Sequence, residues 1–371
     1  MNFKTVKFSG DKKTDIMSTL RIRVKEYFDT HNIQRFGNSA MIWKTIIMLS
    51  LYILPYFVMI SGLITSPWII FGLWLLMGFG MVGIGLSIMH DANHGSYSKN
   101  ETVNKYLGYL INFIGGNAVN WKIQHNVLHH SYTNIDGLDE DVSIGIMLRF
   151  SPHQKRYKFH RLQHYYAWFF YSFLTLNWVV SKDFRQLFRY KKMGLIKAQN
   201  KTFTGSLIEL LLSKAAYLFY FIALPMMLAP IPWWETLLCF ASMHILAGLV
   251  VAIVFQCAHI MPSSEYPLPD DEGKLETTFT LHQLQTTANF SPKNRFFSWF
   301  IGGLNYQIEH HLFPNICHVH YRQISKIVKK TADEYGIPYN VHSNFLKAIW
   351  NHMKMLKDLG RYDNLPVALG K

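Results

Sequence analysis

The stretch His90-Asp-Ala-Asn-His94 closes a long apolar run, and the rest of the chain is organised around it. Between Thr45 and His90 there is no Asp, Glu, Lys or Arg, and Asp91 is the first charge after the run. His90 and His94 are four residues apart, so a helix places both imidazoles on one face. A helix that leaves a membrane with two imidazoles at its end is half of a metal site. The alternative is a helix end wetted by polar residues, and further histidines decide between the two.

The composition indicates a membrane protein. Of 371 residues, 50% are hydrophobic, and the formal net charge is +14. A basic chain can bind nucleic acid or an anionic membrane surface. Here the basic residues flank apolar runs and nothing resembles a nucleic-acid-binding module, so membrane lipids are the expected partner and nucleic acid is not. The three cysteines form no CxxC pair, which argues against a disulfide framework or a thiolate metal site.

The uncharged runs predict an all-α integral membrane protein with four spans in two helical hairpins. A bilayer requires about 20 apolar residues per helical span. The turns near 62–67 and 229–234 contain no Lys or Arg, so they should face away from the cytoplasm, and both termini of this multi-pass protein should be cytoplasmic. The predicted spans are residues 43–62, 68–90, 208–229 and 234–258.

The remaining segments predict a cytoplasmic helical cap. Residues 1–41 should form a cytoplasmic, amphipathic N-terminal arm, with a surface helix from Ile16 to His31. Residues 42–371 should form a single membrane domain. Its cap would comprise residues 91–202 and 259–371, would hold a di-metal site, and would place the active site on the cytoplasmic side.

Further histidines occur on the same predicted side of the membrane. His125 and His129 should share one helix face, with His130 about 100° away, so that one short helix serves two metals. Neutral imidazole binds Fe, Zn, Cu and Ni. Eight imidazoles are too many for one ion and suit two: His90, His94, His125, His129, His130, His259, His310 and His311. Side chains expected to hold these rings by hydrogen bonds are Asp91, Asn93, Asn126, Glu309 and the acidic residues of 136–141.

The motifs HDANH, HNVLHH and QIEHH resemble the three histidine boxes of the membrane fatty acid desaturases. The third box opens with Gln307, as in the front-end (Δ5/Δ6-type) branch of that family, whereas many relatives have His there. The resemblance implies that the eight histidines bind two Fe ions, with O2 as co-substrate and no catalytic residue beyond the metal ligands. Gln307 would bind iron directly, bind it through water, or orient His310.

The resemblance also implies a desaturase that introduces a cis double bond into the acyl chain of acyl-CoA or of a membrane lipid. Many front-end relatives contain a fused cytochrome b5 domain with an HPGG motif. This sequence contains no such motif, so electrons are expected from a separate donor of the cytochrome b5 or ferredoxin type.

Two alternatives to desaturation stay open on the sequence alone. The first is a hydroxylase or another monooxygenase of the same fold, since the same oxidant can return OH to the substrate. The second is a metal transporter or a haem electron carrier, which would need polar residues at mid-membrane depth. In the predicted spans Glu209 and Lys214 lie near the cytoplasmic end, and at greater depth the spans are bare apart from His244, which disfavours this second class.

Overall fold

A computed structural model describes residues 5–10, 16–143, 145–363 and 365 of the chain, and most of them are helical. They form two compact units. The first contains residues 37–123 and 169–252, and the second contains the described residues of 3–36, 124–168 and 253–371. The assignment of 42–371 to a single domain stays a prediction.

Four helices are long and apolar enough to cross a membrane, as predicted: Ser39–Ile60, Pro67–Asn93, Phe203–Leu228 and Trp233–His259. Each exceeds the roughly 20 residues that a bilayer requires. The second span continues past its predicted end at residue 90, because the charged Asp91 is buried and stays in the helix. The first box therefore lies within the last helical turn and its cap.

The first two spans pack closely as a hairpin. A Cβ atom on Gly80 would lie 2.7 Å from the backbone nitrogen of Tyr52, and one on Gly83 would overlap the side chain of Met48. Glycine is needed at position 80 because the helix backbones approach there without room for a side chain, whereas a side chain at position 83 would have to displace that of Met48. This packing fixes the second span, whose end bears His90 and His94.

Polar groups in the third and fourth spans are satisfied inside the first unit. The Lys214 ammonium donates to Asp183 Oδ2 at 2.5 Å and to the carbonyls of Gly115 and Trp178 at 2.6 and 2.8 Å. His244 lies 2.8 Å from the Tyr217 hydroxyl and 3.0 Å from Thr175 Oγ1. Such partners allow buried polar side chains inside a membrane-spanning helix.

The helix Met17–Thr30 packs into the apolar core of the second unit. Its Leu20 and Val24 contact a cluster that includes Ile324 and Val328 of the helix Tyr321–Glu334. The sequence predicted a surface helix here, and the structure covers its apolar face with protein. Because its apolar face is buried against this cluster, the helix is an integral part of the second unit.

The other elements of the fold are short, apart from the C-terminal helix Phe345–Arg361. Lys7–Phe8 pairs in parallel with Lys274–Leu275, and Asn289–Phe290 pairs in parallel with Val341–His342. The short helical segments are Glu101–Gly108, Leu110–Phe113, Ala118–Trp121, Lys122–His129, His130–Tyr132, Lys158–Leu162, Gln163–Ser172, Leu174–Asn177, Trp178–Lys182, Asp183–Met193, Leu195–Ala198, Phe279–Thr286, Arg295–Phe300, Gln307–Leu312 and His318–His320.

Candidate metal centre

The first histidine box lies in the first unit. The rings of His90 and His94 are 4.8 Å apart between centroids, and both rest edge-on against Trp121 at 5.6 and 5.8 Å. Asp91 Oδ1 lies 3.8 Å from His90 Nδ1. The side-chain amide of Asn93, expected to hold an imidazole, donates to the Gly108 carbonyl at 3.1 Å and so anchors the helix that follows.

The second box lies on a π-helical segment, Lys122–His129. A π-helix closes i to i+5 hydrogen bonds, which widens the turn relative to an α-helix. His125 and His129, predicted to share one face, stack with ring centroids 5.3 Å apart. His125 and His130, five residues apart, also bring their Nε2 atoms to 3.2 Å. The segment therefore presents three neighbouring imidazoles, and their division between two metals stays a prediction.

Six imidazoles of the second unit form two groups. In cluster A the Nε2 atoms of His125, His130 and His310 are 3.0 to 3.4 Å apart. In cluster B the ligand nitrogens of His129, His259 and His311 all lie within 4.8 Å of one another. Every one of these six side chains is buried. A metal ion is the usual reason for gathering imidazole nitrogens in this way.

Hydrogen-bond acceptors hold several of these rings from behind. His129 Nδ1 lies 3.2 Å from both oxygens of Asp139, and His259 Nδ1 lies 3.3 Å from the Thr286 carbonyl. A carboxylate or carbonyl can only accept, so each bond places the proton on Nδ1 and leaves the Nε2 lone pair available. On the other side of the centre, His310 Nδ1 lies 3.1 Å from the Tyr321 hydroxyl.

The Asp139 carboxylate is the anion behind cluster B. It accepts hydrogen bonds from the backbone N–H groups of Asn134 and Asp141 at 2.9 and 3.0 Å. Burial alone would raise the pKa of Asp139, but His129 and these two N–H groups hold it below its ordinary value. Of the acidic run, Asp139 and Asp141 face His129, whereas Asp136 accepts from Gln154.

Two other predicted supporting residues serve different purposes. Both oxygens of Glu309 are held at 2.8 Å, one by Asn289 and one by the Tyr339 hydroxyl, and burial raises the pKa of Glu309 to about 7. Glu309 thus anchors the third box to its surroundings, and among the described residues it makes no hydrogen bond to an imidazole. Asn126 lines a cavity beside His130.

Gln307 begins the helix of the third box and lies beside His259 in cluster B. The Gln307 Nε2 atom has no hydrogen-bond partner among the described residues. The amide is 1% exposed. A buried amide without a partner is costly, so a ligand or ordered water at this point would stabilise it.

Several supporting groups were not found from sequence. Gln283, Thr286 and Tyr321 hydrogen-bond the imidazoles but lie outside the three boxes. The first two belong to a polar stretch, His282 to Asn289, in a region that is polar on both sides, so the sequence alone does not single them out. Tyr321 begins an ordinary amphipathic helix and is not singled out either.

The donor set fits a transition metal bound by imidazole. Among the described residues, the Nε2 atoms of His129 and His259 are buried and have no hydrogen-bond partner. Buried polar atoms are nearly always satisfied, and a metal ion would satisfy these two. A partly open cavity of about 490 Å³ reaches His130 and His311, and its lining includes the exposed Ser18 and Arg21. Small molecules in solvent therefore have a route to both clusters.

Comparison with known proteins identifies the family. The family model described as fatty acid desaturase matches residues 66–343. The chain is 34% identical to the sn-1 linoleoyl-lipid 6-desaturase of Synechocystis, over 96% of this chain and 98% of that protein. It is 33% identical to the enzyme of the same name from Arthrospira platensis, over 97% and 96%. It is also 33% identical to the acyl-lipid (8-3)-desaturase of Physcomitrium patens, over 96% of this chain and 74% of that protein.

These matches confirm the resemblance read from the three boxes and favour desaturation over transport or haem binding. The four apolar helices and the buried imidazole clusters agree with them. The chain belongs to the fatty acid desaturase family and is a membrane-embedded oxidoreductase.

Proposed function

We propose that this chain introduces a cis double bond into a fatty acyl chain, using O2, external electrons and a histidine-ligated di-iron centre. The observation that supports this most strongly is the division of six buried imidazoles into clusters A and B. We assign His90 and His94 to the same ligand set because they form the first of the three boxes. The proposed ligands are His90, His94, His125, His129, His130, His259, His310 and His311.

The protein residues hold and orient this centre. When bound, two irons would supply the reduction of O2, in which two external electrons, two protons and one hydrogen from each of two neighbouring methylenes would yield two water molecules. Asp139 and the Thr286 carbonyl keep the protons of His129 and His259 on Nδ1, so that Nε2 faces the metal. The buried Asp139 carboxylate also offsets part of the positive charge that two cations would bring.

The substrate we propose is an acyl chain of a membrane lipid. The cyanobacterial relatives are named for a linoleoyl-lipid substrate, and others are named acyl-lipid desaturases. The third box that begins with Gln307 further supports front-end chemistry, in which the new double bond forms between an existing one and the carboxyl end. Acyl-CoA is the alternative carrier, and product analysis separates the two.

We also propose that the metal centre and both termini face the cytoplasm, where a separate cytochrome b5 or ferredoxin delivers electrons. The support is the absence of Lys and Arg from the turns near 62–67 and 229–234, and the basic residues around 182–192. Lys182→Cys and Ser66→Cys should be labelled from opposite sides of the membrane. The native Cys239, Cys257 and Cys317 are buried, so background labelling is low. Labelling of both introduced cysteines from one side refutes the topology.

The decisive experiment expresses the chain in a host that supplies linoleoyl lipids and an electron donor. Mass spectrometry with double-bond location, applied separately to the lipid and acyl-CoA fractions, should show a new double bond on the carboxyl side, first in the lipid fraction. Purified protein should contain two irons per chain, and His129→Ala should lose iron and activity while the spans still insert. A hydroxylated product, or protein containing one zinc, would overturn the proposal.

A further inference from the structure

We propose that the segment from His282 to Asn289 is a positioning element of the metal centre, and that Gln283 fixes the tautomer of His311. This inference rests on the proposed function, since it concerns how the same imidazoles are held. The segment lies outside the three histidine boxes. It begins within the helix Phe279–Thr286 and ends at the first residue of the strand Asn289–Phe290.

In the sequence Gln283 lies between the second and the third histidine box, and its side chain is fully buried. Its Oε1 atom is 2.7 Å from His311 Nδ1, and its Nε2 atom donates to the backbone carbonyl of His130 at 3.0 Å. The Thr133 hydroxyl also approaches Oε1, at 3.1 Å. One amide therefore connects the backbone of the second box to an imidazole of the third.

The His130 carbonyl determines which way this amide points. A backbone carbonyl only accepts hydrogen bonds, so the NH2 group of Gln283 must face it and the amide oxygen must face His311. An amide oxygen in turn accepts only, so His311 must carry its proton on Nδ1. The Nε2 lone pair of His311 is then directed toward the metal, as cluster B requires.

The reversed amide would have the opposite effect. Its NH2 group would donate to His311 Nδ1, the ring proton would move to Nε2, and His311 could no longer bind a metal through that atom. The reversal would also bring the amide oxygen against the His130 carbonyl, at the cost of two buried acceptors facing each other. The contact with His130 thus protects the ligand form of His311.

Four further hydrogen bonds from the same segment support the neighbouring ligands. The Thr286 carbonyl accepts from His259 Nδ1, and the Ala288 N–H donates to the Ala258 carbonyl at 2.9 Å. Asn289 accepts the backbone N–H of Ile308 at 3.0 Å and donates to Glu309 at 2.8 Å. The segment therefore contacts the residue before His259, His259 itself and residues of the third box, which gives its polar groups a structural role.

The test compares Gln283→Met with Gln283→Glu. Methionine has a similar length but offers no amide, so it removes both bonds, whereas glutamate keeps an acceptor for His311. The matched control is Gln285→Met, since Gln285 is half-buried on the same helix and has no side-chain contact to an imidazole in the described structure. Thermal unfolding of the metal-free proteins checks that each variant is folded.

Two measurements are needed on each protein. Nitrogen-15 NMR of histidine-labelled, metal-free protein, with His311 assigned through His311→Gln, reports the tautomer without iron or activity. Titration with Fe(II) reports affinity. In Gln283→Met we expect loss of the Nδ1–H form of His311 and affinity lower by about 10- to 100-fold. Gln283→Glu should keep the Nδ1–H form and lose less affinity, and the control should match the wild type.

The possible failures are distinct from each other. An unchanged tautomer in Gln283→Met overturns the inference, and so does a changed tautomer with full affinity for iron. Should Gln283→Met fail to fold, loss of the Nδ1–H form in Gln283→Glu would overturn it as well. If the wild-type protein binds no iron while the tautomer still depends on Gln283, the proposed function fails and the hydrogen-bond assignment stands.

Discussion

Asp139 meets His129 with both carboxylate oxygens 3.2 Å from Nδ1, and the carboxylate is completely buried. The pair joins the second histidine box to an acidic residue ten positions further along the chain. A buried carboxylate behind a metal-binding imidazole strengthens the ring as a ligand and fixes its orientation. The pair is therefore the most direct point at which to alter the centre without removing a ligand.

Asp139→Asn should lower iron affinity by about 10- to 100-fold, because the negative charge is lost and the amide can present N–H to His129. Iron content after dialysis against a weak chelator measures the effect. Asp136→Asn is the matched control from the same acidic run, since Asp136 accepts from Gln154 and not from an imidazole. Equal iron retention in the two variants would show that Asp139 does not support the ligand.

Gln307→Leu should retain the fold, since leucine replaces the amide with little change in volume, but should lose activity or iron. The reason is that the buried amide lies beside His259 in cluster B. Iron retained with reduced turnover would indicate a role through water or through orientation of His310. Gln307→His restores the imidazole of other family members, and activity in that variant would show that the position can coordinate metal. Full activity and iron in Gln307→Leu would place Gln307 outside the site.

Lys214→Met should destabilise the protein by about 3–5 kcal/mol, because it leaves the Asp183 carboxylate buried without its cation. The double variant Lys214→Met with Asp183→Asn should recover much of that loss. Thermal unfolding in one detergent measures all three proteins. Lys201→Met, which breaks the exposed contact with Glu209, should change stability by less than about 1 kcal/mol. A double variant as unstable as the single one would contradict the pairing.

His352 should make the fold sensitive to acid. Its Nδ1–H donates to the Ile260 carbonyl at 2.9 Å, and burial lowers the pKa of His352 from 6.5 to about 4. The neutral ring is favoured in the folded state, so its stabilisation is present above pH 6.5 and is lost as the pH falls toward 4. The loss amounts to about 3 kcal/mol.

His352→Gln keeps a donor for the carbonyl and does not titrate, so stability should fall less between pH 7 and pH 4.5 than in the wild type. Thermal unfolding at several pH values of metal-free protein measures this difference. Replacement of the exposed His31 by Gln serves as the control. A variant with the same pH dependence as the wild type would exclude His352 as the source.

The spans and boxes could be predicted because their signals are local. A continuous uncharged run of about 20 residues indicates a helix in a bilayer, since a helix satisfies its backbone polar groups within the segment. The histidine boxes could likewise be predicted, because the spacing of imidazoles within a short motif is enough to indicate metal ligands. The helix of the second span extends three residues beyond residue 90, since the buried Asp91 does not end it.

The division of imidazoles into clusters A and B could not be predicted. It depends on a π-helical turn at Lys122–His129, and no residue in that segment marks a change from α-helical hydrogen bonding. The supports behind the rings were also hidden, since Gln283 and His130 are 153 residues apart in sequence. Contacts of that range depend on tertiary packing, which local patterns do not encode.

The cavity beside His130 and His311 has a practical consequence for handling this protein. A space of about 490 Å³ that reaches two buried imidazoles admits a hydrated cation or a small chelator to the folded chain. For the di-iron centre proposed above, exchange of the metal for another, such as cobalt for spectroscopy, would require diffusion through this opening and not denaturation and reinsertion into a bilayer. The same opening would give azide or a hydroxamate access to that centre from the aqueous phase, independent of the proposed lipid substrate.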